Sequence, residues 1–76
     1  MMHNEHDRIV LDQDLPDHKL LRGDIGTVVH VYAGGEAFEV EFVALDGATA
    51  AVVTLREDQV RPVRSHEVPH ARSLAA

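Results

Sequence analysis

The sequence predicts an all-β fold, a small five-stranded barrel with a disordered C-terminal tail. Three observations lead there. Residues 36–45 alternate, with Phe38, Val40 and Phe42 on one side and Glu39 and Glu41 on the other. That period of two marks a strand with one face in a core and one in water. Gly34-Gly35 and Asp46-Gly47 bracket the segment as hairpin turns, because adjacent or Asp-paired glycines supply the positive φ that tight hairpins need. No window of adequate length carries the 3.6-residue period of a helix.

The elements follow in order. Residues 8–13, rich in β-branched side chains, form a first strand. Residues 14–19 hold Pro16 between acids and form a loop. Leu20 and Leu21 anchor a turn that ends at Gly23-Asp24. The second strand, residues 25–33, has two candidate apolar stripes: Thr27, Val29 and Val31, or Val28, His30 and Tyr32. A long bent strand shared by both halves of a barrel accounts for both. The third strand is the alternating segment. The fourth, residues 48–55, turns Ala51, Val53 and Leu55 inward with Thr49 on the same side. Residues 56–59 make a polar turn, and residues 60–63 a last short strand in which Pro62 suits an edge. Five short strands, a long first loop and a polar turn before the last strand give the SH3-like order. Residues 64–76 lack any period and read as a flexible tail, and residues 1–7 as a disordered N-terminus, leaving residues 8–63 as the barrel domain.

Composition narrows the function. The 76 residues allow one domain. No cysteine is present, so neither a disulfide nor a thiolate nucleophile is available. The net charge of −6 repels polyanions and argues against nucleic acid as a partner. Aromatic residues are few and tryptophan is absent, which disfavours a base-stacking platform. The polar start, Met1 to Asp7, lacks the apolar stretch of an export signal, and no run suits a membrane span. A cytoplasmic protein without membrane contact is the expectation.

Leu15-Pro16, then Leu21-Arg22-Gly23-Asp24-Ile25-Gly26-Thr27-Val28-Val29-His30-Val31-Tyr32, then Phe38-Glu39-Val40-Glu41-Phe42, Val53-Thr54-Leu55 and Val60-Arg61-Pro62-Val63 occur in one order and spacing. This pattern resembles the domain of unknown function 4926 family of short bacterial proteins. The resemblance covers about residues 8–63. It implies an SH3-like fold and no activity. Members that sit beside another small gene imply a paired system. A looser likeness links the Gly-Asp-x-Gly-x-Val segment to ribosomal and elongation-factor SH3-like modules and to the nitrile hydratase β-subunit, at fold level only.

Several short motifs could carry chemistry. His66-Glu67-Val68-Pro69-His70 spells H-E-x-x-H, which binds zinc only when a helix sets both histidines on one face. Pro69 inside it removes a helical donor. His3, His6, His66 and His70 would form a metal site only if ordering the termini repaid its entropy. Arg22-Gly23-Asp24 reads as a turn. Glu36, Glu39, Glu41 and Asp46 read as a solvated face without the burial that splits carboxyl pKa values. Arg56, Arg61 and Arg64 form a small basic set at the end of the barrel. No nucleophile elbow, phosphate loop or cofactor motif is present. The expectation is therefore a non-catalytic protein-interaction module with no cofactor and no metal, an immunity- or antitoxin-like partner of a neighbouring protein or a homodimer through strand edges. A nucleic-acid or ribosome-associated module is the second reading and an accessory subunit of an enzyme the third. The contact residues expected are Val28, His30, Tyr32, Glu39 and Glu41.

Overall fold

Each strand forms where β-branched and aromatic residues run between turn residues. The computed structural model describes residues 3–74. Its strands are β1 (Arg8–Leu11), β2 (Ile25–Val31), β3 (Ala37–Val43), β4 (Thr49–Arg56) and β5 (Val60–Pro62). Single 3₁₀ turns occupy Pro16–His18, Ala33–Gly35 and Glu57–Gln59. All pairings are antiparallel, in the order β4-β3-β2-β1-β5, which is the SH3-like order expected. The sheet curls over one core, and its end strands β4 and β5 are not paired with each other, so the barrel is open.

The core contains the side chains that the alternation of β3 assigns to it. Phe38, Val40 and Phe42 pack with Ile9, Leu11, Leu20, Val28, Val53, Leu55 and Val60. Leu20 is buried as one anchor of its turn, while Leu21 is exposed, its backbone N–H donating to the Asp24 carboxylate at 2.8 Å. Gly26 lies at the tightest point. A Cβ there would stand 2.5 Å from a methyl of Val40 and 2.8 Å from the Phe42 ring.

Two bulges decide which residues face out. Thr27 pairs with Glu41 and Val28 with Val40, but the next partners are His30 with Glu39 and Val31 with Phe38. Val29 is therefore the extra residue. The two stripes of the second strand are both cut by it: Val28 and Val31 turn inward, and Thr27, His30 and Tyr32 share the outer face. A second shift sets Phe42 opposite Ala51 and Val43 opposite Thr49, so Ala50 is the extra residue of β4. This corrects the expected side of Thr49, which lies on the outer face and donates its hydroxyl to Glu41 at 2.8 Å.

The N-terminal segment also differs from its expected disorder. His3 is buried and sets its ring edge-on to Phe38 at 5.2 Å. The His6 N–H donates to the Val28 carbonyl at 2.7 Å, and the Val28 N–H to the Asp7 carbonyl at 2.8 Å. These bonds prolong the β1–β2 ladder, and the imidazole covers an end of the core; residues 1–2 of that segment lie outside the described residues. The tail, residues 63–74, carries no strand or helix.

Candidate interaction surface

The five residues expected at a contact do not share one environment. Val28 is fully buried in the core and is no contact residue, because the bulge at Val29 fixes it opposite Val40. His30, Tyr32, Glu39 and Glu41 do come together on the outer face of β2 and β3. The His30 and Tyr32 rings meet edge to face at 4.8 Å. Glu39 accepts the Thr54 hydroxyl and Glu41 that of Thr49, so each carboxylate ties β3 to β4. Both glutamates are half-buried rather than standing free in water. A carboxylate engaged by a threonine hydroxyl serves the sheet.

Apolar side chains surround this polar row. Tyr32 is 42 % exposed, Val43 49 % and Val52 51 %. Val52 projects from β4, whose second edge pairs with no described strand. Sequence reasoning missed Val43 and Val52. The signal for Val43 was available: it continues the outward phase of Glu39 and Glu41 with an apolar residue.

The tail crosses the other half of the outer face. Glu67 accepts two hydrogen bonds from the Arg61 guanidinium, at 2.6 and 3.0 Å, and one from the Arg64 backbone N–H at 2.6 Å. The Arg61 bonds, then the Arg64 bond, hold the Glu67 carboxyl down at about 2, and the Glu67 carboxylate raises the Arg61 pKa. Further along, Arg72 binds both oxygens of Asp24, with its Nε at 2.9 Å, and donates to the Lys19 carbonyl at 3.2 Å. Asp24 raises the Arg72 pKa. Two hollows flank this path, of about 590 and 550 Å³, and both are lined by Ile25, Val43, Leu45 and Pro69.

These contacts account for the short motifs. The H-E-x-x-H pentapeptide is not helical: His66 has a left-handed φ of 67°, and Glu67 is clasped by Arg61. Among the described residues no three His, Asp or Glu side chains gather to hold a metal ion. Arg22-Gly23-Asp24 is a turn with Gly23 at φ 98°, and its aspartate is taken by Arg72. In the basic set, Arg56 pairs with Asp58 and Arg61 with Glu67. No helix among the described residues is long and apolar enough to cross a membrane.

A family model for a domain of unknown function, number 4926, matches residues 5–62, well over half of the chain. The chain belongs to that family. Domain of unknown function 4926 thus spans β1 through β5, together with the residues that run back from His6 and Asp7 along β2. The Arg61 end of the first clasp and the Asp24 end of the second fall inside the match, whereas Glu67 and Arg72 follow it. Neither a curated protein nor a solved structure matches the chain.

Proposed function

We propose that this chain is a non-catalytic protein-interaction module that takes a protein partner, or a second copy, by strand addition along β4. One observation carries the reading. β4 is an eight-residue end strand, and residues 48–55 contain no charge and no proline. End strands that stay solitary are usually blunted by lysine, proline or bulges. Here the bulge lies at Ala50, and residues 51–55 beyond it stay in regular register with β3. An added strand would gain main-chain hydrogen bonds there and side-chain contact with Val52.

The net charge of −6 supports a protein over a nucleic-acid partner, because a basic footprint supplies the counterion release that drives nucleic-acid binding. Size exclusion with light scattering tests the reading, on the chain alone and co-expressed with the protein encoded beside it. A complex should form, and Val52→Lys should abolish it without changing the thermal melt. A chain that is monomeric in both settings overturns the proposal.

A further inference from the structure

The tail is held at points rather than buried. Residues 65–74 are all exposed, and Ile25, Val43 and Leu45 beside them also remain exposed. The clasp at Glu67 is local, since Arg61 is only six residues away. The clasp at Arg72 is the distant one, 48 residues from Asp24, and its carboxylate is the better shielded of the two, at 19 % exposed against 33 % for Glu67. Beyond Glu67, the tail meets the barrel at the Arg72 clasp and along the hollow that Pro69 and Leu74 line with Leu20, Ile25 and Phe42.

We propose that the groove ending at Asp24 is a docking site for the C-terminal segment of a second copy, with the chain's own tail as the resident competitor. The groove already recognises this segment: Asp24 and the Lys19 carbonyl together receive the Arg72 guanidinium. A second copy brings the same groups, so closed monomer and tail-exchanged dimer share their polar contacts. Reach then sets the geometry of the dimer. Arg72 lies five positions after Glu67, and fully extended that stretch spans no more than about 18 Å. Two barrels joined over that distance must meet outer face to outer face. Ile25, Val43 and Leu45 of both copies then lie between them, and burying these is what the dimer gains over the monomer. This inference rests on the interaction-module reading but uses a surface other than the β4 edge.

Charge reversal in the full chain tests it. Asp24→Arg alone and Arg72→Asp alone each place like charges together, so neither closes its own clasp. Mixed in equal amounts, each supplies what the other lacks, and both clasps close only between chains. Each variant alone should run as a monomer in light scattering, and the mixture should double in mass and return to monomer as salt is raised. The doubly substituted chain, Asp24→Arg with Arg72→Asp, should match the parent in circular dichroism and melt a few degrees lower, because Asp24 also accepts the Leu21 N–H; a retained cooperative melt shows that the reversed pair is compatible with folding. A mixture of folded variants that stays monomeric overturns the proposal. So does a dimer that forms equally well from either variant alone. Val52→Lys in the same mixture separates the two readings: the exchanged dimer should survive it, and loss of the dimer would assign the association to β4 and overturn the tail exchange.

Discussion

β3 presents two faces from the same seven residues, and the faces answer to different partners. Its inner face sets Phe38, Val40 and Phe42, each at most 3 % exposed, against β2, β4 and β5. Its outer face sets Glu39, Glu41 and Val43, which meet threonines of β4, the His30 and Tyr32 side of β2, and the hollows beside the tail. The inner face is held by burial, which depends on volume and shape. The outer face is held by single hydrogen bonds and is open to rearrangement. Stability belongs to the first, the proposed association draws on the second, and the two can be altered separately because the pleat keeps them apart.

The largest effect is expected on the inner face. Phe38→Ala should cost about 3–5 kcal/mol, most of the stability of so small a domain. Denaturant titration would read this as a midpoint shift, and a loss below about 1 kcal/mol would mean that the core is not organised around β3. Gly26→Ala comes next. The added methyl meets Val40 and Phe42 inside van der Waals distance, so a loss of about 1–3 kcal/mol is expected, though nothing is removed. A neutral Gly26→Ala would show that β2 can move away from β3 there.

On the outer face, Glu41→Gln should cost about 1 kcal/mol or less, because the amide oxygen still accepts from Thr49. A larger loss than Gly26→Ala would reverse the comparison between the faces.

The smallest effect concerns pH. The Glu67 carboxyl is lowered from 4.5 to about 2 by Arg61 and Arg64, so its contribution is complete above about 4.5 and is lost as pH falls toward about 2. The Arg64 amide donates to this carboxylate, and its NMR signal should titrate near the lower value. A midpoint at the ordinary carboxyl value would mean that the clasp is open in solution.

The fold was legible because its signals are local. Phe38-Glu39-Val40-Glu41-Phe42 states a face in five residues, and Asp46-Gly47 states a turn in two. The outer face was only partly legible, for a reason of the same kind. A bulge is set by pairing between strands, and nothing near Val29 or Ala50 in the chain announces one. Val28 was therefore grouped with His30 and Tyr32, and Thr49 with Ala51, by a parity that the sheet does not keep. Arg72 and Asp24 lie still further beyond local reading. His3 escaped for another reason: a polar, charged N-terminal stretch resembles a solvated one until a ring is found against Phe38.

The two bulges also govern which lengths of chain the sheet can accept. β2 and β4 each carry one residue more than pairing with β3 requires. A single-residue deletion near Val29 or Ala50 can be absorbed by flattening the strand, and every core side chain keeps its side. β3 holds no such slack. Losing one residue between Ala37 and Val43 would carry Glu39 or Glu41 into the space of a phenylalanine. The strands on either side of β3 can therefore vary in length as β3 cannot, and the free edge and the groove can be reshaped by insertion and deletion while the core stays in phase.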